Sequence, residues 1–279
     1  MPLPPGLDRD ALHFLEIHET RVHALPGREV RDLGDALVLH DPIDREPFWN
    51  RAAAIRWPYE PAAFDRRLAE TLALFAVLDR IPHVWPRPAF NEPPDLVDRL
   101  LANGWEDLGG GYLMVLTDPE PARAAAAEGE RAPGISIDRV GGPQDGSARR
   151  LAAEVALVLA EAFGVEPARE ATIELETLAM WDRPWTVAYI ARVDGEPTAV
   201  AKLTTIDGAS YLSSIGTRPA FRGRGLARLV TAAAAADGVA AGSRWTYLGV
   251  YAGNVPALRL YRGLGFEPIA DPVPDLLLR

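Results

Sequence analysis

Residues 222–225, Arg-Gly-Arg-Gly, combine two guanidinium groups with two glycines, and this combination suits anion binding. The glycines let the backbone approach a bulky anion without a Cβ in the way, and the arginines supply charge-assisted hydrogen bonds. An apolar run with β character, residues 211–217, precedes them, and an alanine-rich run of helical composition begins at Leu226. A strand that turns through glycines into a helix N-terminus directs backbone N–H groups and a favourable dipole at one point. The sequence therefore predicts a phosphate-binding loop.

A second segment, residues 248–266, has the pattern of a strand that ends, an Asn that opens a helix, and a Gly that stops it. Asn254 is a good N-cap, and Pro256 is tolerated in the first helical turn. Gly265 stands where a helix stop is expected. Four residues at helical spacing form one apolar stripe: Ala257, Leu260, Tyr261 and Leu264. Judged by spacing alone, Tyr261 is a core aromatic whose hydroxyl finds a partner.

Together the two segments resemble the CoA-binding motifs of the GCN5-related N-acetyltransferases, the GNAT family. The family's pyrophosphate loop, Arg/Gln-x-x-Gly-x-Gly/Ala, is matched by Arg222, Gly225 and Ala227. The second motif, with Asn, Ala, Leu-Tyr and Gly-Phe in that order, is matched between Asn254 and Phe266. The resemblance covers residues 135–279. It implies the acyl-CoA N-acyltransferase fold, a mixed and mostly antiparallel sheet flanked by helices, which is split between its central strand and the next one.

The resemblance also implies an activity, the direct transfer of acetyl from acetyl-CoA to an amine acceptor, either a small molecule or a peptide. Backbone groups around residues 215–217 would bind the pantetheine arm and polarise the thioester carbonyl. Tyr261 would protonate the departing thiolate. The residues expected at the cofactor are Ile215, Gly216, Thr217, Arg222, Gly223, Arg224, Gly225, Leu226, Ala227 and Asn254.

The attacking amine must lose a proton, which calls for a base or a chain of water molecules. The central strand carries Tyr and Ser residues where the family often carries Glu, and no His follows His83. Three carboxylates remain as candidate bases, although each is more commonly a solvated surface group: Glu174, Glu176 and Asp207. Two alternatives to a general N-acetyltransferase stay open. One is a tandem enzyme with a specialised acceptor, as in mycothiol synthases, and the other is an acyl-CoA-binding sensor without turnover.

Composition narrows the classes of function. The 279 residues include no Cys, which excludes disulfides, thiolate metal sites and an acyl-cysteine intermediate. The formal net charge is -10, of which residues 1–131 contribute -9 through 14 Arg against 23 Asp and Glu, and this argues against nucleic acid as a ligand. No apolar run is long enough for a membrane span, and the N-terminal MPLPPGLDRD lacks the pattern of a signal peptide. We expect a cytoplasmic protein that binds no membrane.

Five histidines lie in the first half: His13, His18, His23, His40 and His83. The first three are five residues apart, so they drift around a helix instead of sharing one face, and no His-Glu-x-x-His pattern accompanies them. We therefore expect no metal site. The sole lysine of the chain, Lys202, leaves arginine to supply nearly all of the positive charge.

The two halves form a weak internal repeat, because Leu-Ala-Asn-Gly-Trp-Glu at residues 101–106 resembles Gly-Leu-Gly-Phe-Glu at residues 263–267. The alignment places Leu100 where the second copy has Tyr261, and no Gly lies between residues 35 and 103 to form a phosphate loop. We expect residues 1–118 to be a degenerate GNAT-like domain, 119–134 an exposed linker with some helix-forming content, and 135–279 the catalytic domain closed by a final strand pair. One acetyl-CoA is expected per chain.

Overall fold

A computed structural model describes residues 7–87, 91–129, 131–142 and 146–279, so the first six residues of the N-terminal stretch lie outside it. The helices are α1 (Arg9–Ala24), α2 (Pro61–Val77), α3 (Leu96–Ala102), α4 (Glu120–Gly129), α5 (Ala148–Phe163), α6 (Pro167–Trp181), α7 (Leu226–Ala240) and α8 (Val255–Arg262). The strands are β1 (Glu29–Asp32), β2 (Leu37–His40), β3 (Arg51–Ala53), β4 (His83–Val84), β5 (Glu106–Asp107), β6 (Gly111–Leu116), β7 (Ile135–Val140), β8 (Thr186–Val193), β9 (Glu196–Ile206), β10 (Ala209–Thr217), β11 (Trp245–Tyr251), β12 (Phe266–Pro268) and β13 (Leu276–Leu277).

The chain divides into two compact units. The first comprises Met1–Leu113, Val250–Asn254 and Pro268–Arg279, and the second comprises Met114–Gly249 and Val255–Glu267. No helix among the described residues is long and apolar enough to cross a bilayer.

Two Asp-Gly turns build the centre of the second unit. Asp194 and Gly195 have φ values of 51° and 84° between β8 and β9, and Asp207 and Gly208 have values of 49° and 80° between β9 and β10. Positive φ at both central residues is the turn geometry that matches the twist of antiparallel strands, and Asp-Gly is one of the residue pairs that favour it. β10 then pairs with β11 in parallel. The resulting sheet has the order β12-β6-β11-β10-β9-β8-β7.

Helices cover both faces of this sheet. Val200 of β9 belongs to the apolar core formed with α5, and Gly216 of β10 lies on the same face, where a Cβ would meet the Cβ of Ala162 at 2.8 Å. On the opposite face, α7 approaches so closely at Gly238 that a Cβ there would lie 3.0 Å from the Ser210 side chain. Ser210 and Gly216 are six residues apart in β10 yet face different helices, because the extra residue between Ser213 and Gly216 reverses the alternation of the strand.

The first unit contains a smaller sheet with the order β1-β2-β3-β4-β13-β5. β3 and β4 are parallel and pair at Ala52 and Val84. Trp57, Phe64 and Leu100, each no more than 1% exposed, belong to its core. Each unit has a parallel pair of strands within its sheet. Each also has a glycine of positive φ at a helix stop, Gly104 at 85° in the first unit and Gly265 at 92° in the second. These features agree with an internal repeat.

The expectation of a final strand pair within residues 135–279 is wrong. β13, near the end of the chain, pairs with β4 and β5 in the first sheet, where Leu276 is fully buried. His83 Nε2 also hydrogen-bonds the Asp275 carboxylate beside it. β6 instead lies between β12 and β11 in the second sheet. The apolar pattern of these short strands indicates burial but does not specify a partner, so sequence order was a poor guide to pairing. A fragment of residues 135–279 would lack β6.

The segment expected to be an exposed linker, residues 119–134, contains α4. Ala122 and Ala125 of this helix are fully buried. α4 packs along α7, since a Cβ at Gly129 would lie 3.3 Å from the Leu229 side chain. The small alanine side chains permit this close approach, and the high Ala content favours the helix. The segment is therefore part of the second unit.

We predict that Gly265→Ala strongly destabilises the fold. A Cβ at this position would lie 1.9 Å from the Asp118 backbone carbonyl oxygen, and the Gly265 carbonyl accepts a hydrogen bond from the Thr117 N–H at 3.0 Å. The clash adds to the strain of a positive φ, so the free energy of unfolding should fall by about 3 kcal/mol or more. Gly208→Ala is the matched control, because φ is 80° and no atom lies within 4 Å of the new Cβ. Urea denaturation measures both, and equal losses would contradict the prediction.

Candidate active site

The centre of the candidate site is an irregularity in β10. β10 pairs with β9 up to Ser213 and resumes at Gly216, and Ser214 between them has φ of 50°. Ser214 and Ile215 thus stand opposite a single residue of β9. This is a β-bulge, and it changes the direction of the backbone groups in this stretch. On the other side, the pairing of β10 with β11 ends at Leu212 and Leu248. The predicted split between the central strand and the next one is confirmed.

This split exposes the β11-facing edge of β10 around residues 213–217, where the sequence predicted the binding of a thioester. Ile215 lies within the bulge, and Gly216 and Thr217 pair with Val200 and Ala199 of β9. Gly216 is required by the close approach of α5. Backbone groups turned toward a gap between strands are fixed donors that need no reorganisation to polarise a carbonyl, because the sheet already holds them.

The glycine loop, residues 218–225, connects β10 to α7. Gly223 and Gly225 have φ values of 78° and 77°, a conformation that strongly favours glycine. Gly225 is the N-cap of α7, where no side chain caps the helix and no acidic residue lies in the first turn. The first N–H groups of an α-helix have no intrahelical partner, so those at Leu226 and Ala227 suit an anion. The expected loop geometry is present.

The arginines of the loop have different contacts. Arg222 Nη2 donates to the Ala162 carbonyl at the end of α5 at 2.8 Å, while the Arg224 guanidinium lies 5.2 Å from the centre of the Phe221 ring. Both side chains are exposed. Arg222 thus also bridges the loop to α5, a role beyond the phosphate contact that the sequence predicted. Its guanidinium lies at the C-terminus of α5, where positive charge is favourable.

Arg218, which the sequence analysis did not single out, anchors the start of the loop. Its guanidinium makes a bidentate pair with Glu161 at 2.9 and 3.0 Å and also donates to Glu196. This network raises the pKa of Arg218, above all through the hydrogen bonds that its guanidinium donates to Glu161. A bidentate pair fixes direction as well as charge. The position of Arg218 at a strand end, before Pro219, was the signal for this role in the sequence. The role was missed because the carboxylate partners are distant in sequence.

Tyr261 lies on the buried face of α8 and is 6% exposed. Its ring meets Phe266 in a T-shaped contact at 6.2 Å, and burial raises the pKa of its hydroxyl to about 12. The phenol therefore keeps its proton at neutral pH and is available as a proton donor. Asn254, which precedes α8, is exposed, and its N–H donates to the Tyr251 carbonyl at 3.0 Å.

The candidate bases differ in position. Asp207 occupies the exposed turn before β10, and Ser214 lies seven positions further along the chain, a span of about 23 Å. It is therefore remote from the bulge. Glu176 of α6 is half-buried and forms an ion pair with Arg169 at 3.3 Å, whereas Glu174 is half-buried on the same helix. The face of the sheet beneath α6 also carries the buried Lys202, whose Nζ donates to Thr177 Oγ1 at 2.8 Å.

Histidines of the first unit have packing partners. His40 Nδ1 hydrogen-bonds Asn50 Oδ1 at 3.0 Å, and His23 Nδ1 lies 2.8 Å from Arg51 Nη2. Burial lowers the pKa of His23 well below its usual value. Within the described ranges, no group of three His, Asp or Glu side chains could hold a metal ion.

The first unit has a bulge-like residue of its own, at Ala54, which directly follows β3 and has φ of 53°. Its N–H donates to Glu16 Oε1 at 2.7 Å. Glu16 is 2% exposed, and burial raises the pKa of its carboxyl to about 7. A side chain of the protein thus binds the backbone N–H of this left-handed residue, and a ligand of that N–H would have to displace Glu16.

Comparisons with known proteins agree with this geometry. Residues 154–266 match the family model described as the acetyltransferase (GNAT) family, whereas no curated protein matches the chain. A solved GCN5-related N-acetyltransferase from Kribbella flavida is 26% identical, with a TM-score of 0.68, over 94% of this chain and 93% of that one. A tandem GNAT protein from the clavulanic acid biosynthesis pathway is 16% identical, with a TM-score of 0.64, over 92% of this chain and 86% of that one.

A third solved structure, a GCN5-related N-acetyltransferase from Sphaerobacter thermophilus, is 18% identical with a TM-score of 0.54, over 82% of this chain and 70% of that one. These last two likenesses concern the fold. The predicted fold, a mixed and mostly antiparallel sheet flanked by helices and repeated along the chain, is confirmed.

We predict that Tyr261 makes the protein less stable at high pH. An unfolded tyrosine ionises near pH 10 and the buried Tyr261 near pH 12, so the unfolded state loses its proton first. The resulting penalty is absent below pH 10, grows as the pH rises toward 12, and amounts to about 1 kcal/mol at pH 11. Urea denaturation of the wild type and Tyr261→Phe at pH 8 and 11 isolates this residue. The substitution should reduce the loss of stability by that amount, and an unchanged loss would contradict the burial of the phenol.

Proposed function

We propose that this chain, an acyltransferase of the GNAT family whose family domain spans residues 154–266, transfers acetyl from acetyl-CoA directly to an amine. The amine belongs to a small molecule or a peptide. One observation carries the proposal. An uncapped helix N-terminus, reached through a loop with two left-handed glycines, follows a strand whose backbone is bulged and has lost its neighbour on one side.

The glycine loop would hold the pyrophosphate of the cofactor. The N–H groups at the start of α7 supply the donors, and the helix dipole favours a negative ligand. Arg222 and Arg224 are exposed on this loop and add positive charge. Arg218 is a positioning residue, because its pairs with Glu161 and Glu196 fix the strand end from which the loop departs. Asn254 and the backbone of residues 215–217 complete the proposed cofactor contacts.

The reaction follows from the placement of the thioester in the gap after Leu212. The amine nitrogen attacks the carbonyl carbon and a C–N bond forms, while the bulge N–H groups stabilise the charge that develops on the carbonyl oxygen. The C–S bond then breaks. Tyr261 gives its proton to the departing thiolate of CoA, and the surplus proton of the amine passes to solvent. The phenol of Tyr261 is protonated at neutral pH before each turnover, as a proton donor must be.

We predict that Gly225→Asp weakens acetyl-CoA binding tenfold or more, a change of about 1.4 kcal/mol per decade. The substitution puts a carboxylate and a Cβ at the N-cap of α7, where the pyrophosphate is proposed to lie, and φ of 77° adds strain. Gly242→Asp is the matched control, because it adds the same charge at a φ of 74° in open space just beyond α7. Isothermal titration calorimetry measures both affinities. Equal affinities for the two variants would exclude the glycine loop as the binding site.

We predict that Tyr261→Phe lowers kcat by about a hundredfold while the KM for acetyl-CoA changes little, because only the transition state needs the phenolic proton. Release of free CoA thiol with a panel of amines measures the rate. Tyr189→Phe is the control, since it removes a buried hydroxyl bonded to Asp237 of α7. Normal turnover by folded Tyr261→Phe protein would show that Tyr261 is only a core aromatic. Binding of acetyl-CoA without thiol release by the wild type would identify a sensor.

A further inference from the structure

The chain has a single lysine, and it lies in the interior of the second unit. Lys202 of β9 is 4% exposed, and its Nζ donates to Thr177 Oγ1 of α6 at 2.8 Å. Thr177 Oγ1 in turn donates to the Ile173 carbonyl at 2.7 Å. Lysine is one of the residues least often buried, because removing an ammonium from water is costly. A position of this kind is a candidate for function as well as for structure.

Strand pairing places Lys202 beside the reaction centre. Lys202 pairs with Ser213, the last residue of β10 before the bulge. Paired Cα atoms in an antiparallel sheet are about 4.5–5.5 Å apart, and Ser214 follows after a further 3.8 Å or so. The Cα atom of Lys202 therefore lies one residue pair away from the backbone groups that are proposed to hold the thioester carbonyl.

Lys202 also projects from a definite face of the sheet. Residues that pair directly across an antiparallel sheet share one face, so Lys202 and Ser213 point the same way, as do Val200 and Gly216, which lie beneath α5. The hydrogen bond to Thr177 places Lys202 beneath α6. α7, which carries the proposed pyrophosphate site, covers the opposite face. An acceptor bound on the α5 and α6 side would therefore lie on the same face of the sheet as the ammonium.

Charge decides what such an acceptor contains. A positive group near the thioester repels an approaching alkylammonium ion, which disfavours a simple amine. An acceptor with a carboxylate a few bonds from its amine gains a charge-assisted hydrogen bond from the same group. An ammonium has three N–H donors, so it can bond a ligand oxygen in addition to its partners in the protein, of which Thr177 is one. The ammonium of lysine is a point charge that matches a group with one negative charge, such as a carboxylate. Phosphate groups are better matched by the planar guanidinium of arginine.

We propose that Lys202 binds a carboxylate of the acceptor, so that the substrates of this acyltransferase are amino acids or similar molecules that bear an amine and a carboxylate a few bonds apart. The inference rests on the proposed function, which it narrows to one class of acceptor. Lys202 then acts as a specificity-determining residue, and Thr177 fixes the direction of its ammonium. A solely structural Lys202 would tie β9 to α6 and have no effect on the choice of acceptor.

Matched pairs of amines test the proposal on the full-length wild-type protein. Each pair consists of an amino acid and its decarboxylated amine: L-phenylalanine and phenethylamine, L-histidine and histamine, L-tyrosine and tyramine, and L-lysine and cadaverine. CoA thiol release gives kcat/KM for each. A hydrogen bond to a charged group is typically strong enough that the carboxylated member should be preferred about tenfold or more in the pairs that react.

Lys202→Met then separates recognition from structure. Methionine keeps an unbranched chain of similar length without the charge, so acetyl-CoA affinity should be retained while the preference falls to about threefold or less. Thr186→Val is the control, because Thr186 is buried on the same face and its hydroxyl contacts Thr204 at 3.3 Å, one row further from the bulge. This control should keep the wild-type preference. If Lys202→Met no longer binds acetyl-CoA, Thr177→Val, which removes the hydroxyl partner of Nζ, takes its place and should weaken the preference.

Three results would overturn the inference. The first is that the wild type prefers neither member of the pairs, prefers the decarboxylated amines, or releases CoA only with amines outside the pairs. The second is that the preference for the carboxylated member survives in folded Lys202→Met protein. The third is that no amine causes CoA release although acetyl-CoA binds, and this result would overturn the proposed function together with the inference.

Discussion

The candidate site depends on one constraint, the point at which two parallel strands stop pairing. β10 and β11 are joined only as far as Leu212 and Leu248, and Ser214 then adopts a left-handed conformation that costs a non-glycine residue about 1–2 kcal/mol. β9 continues along the other edge of β10, and α5 packs against Gly216, so the surrounding sheet and helix hold this strained residue in place. The gap, the turned backbone groups and the direction in which the glycine loop leaves the strand all follow from this local defect.

Local chemistry made some of these features predictable from the sequence. The Asp-Gly turns, the glycines before α7 and the spacing around Tyr261 report on backbone conformation and helix periodicity within a few residues. Arg218 was missed because its partners, Glu161 and Glu196, are remote along the chain. β6 and β13 were assigned to the wrong sheets for a related reason. A short apolar strand requires burial, but its sequence carries no information about which of several open edges it will join.

Each unit has a left-handed residue in or directly after a strand of its parallel pair. Ala54 in the first unit and Ser214 in the second have φ values of 53° and 50°. The N–H of Ala54 is bonded to Glu16, a carboxyl group that is fully buried and has a pKa raised to about 7 by burial. This hydrogen bond satisfies the N–H within the protein. An unsatisfied buried N–H is costly, so the contact stabilises the first unit.

The exchange of strands between the sheets affects how the protein is made. β13 separates β4 from β5 in the first sheet and consists of residues 276 and 277 of 279. Roughly 190 residues are added between β4 and β13, which takes about 10–40 s at typical rates of synthesis. During that interval β4 has an open edge of the kind that promotes aggregation. The first sheet, although most of its strands are synthesised early, is complete only after β13 has been added, so β13 determines when the open edge of β4 is covered.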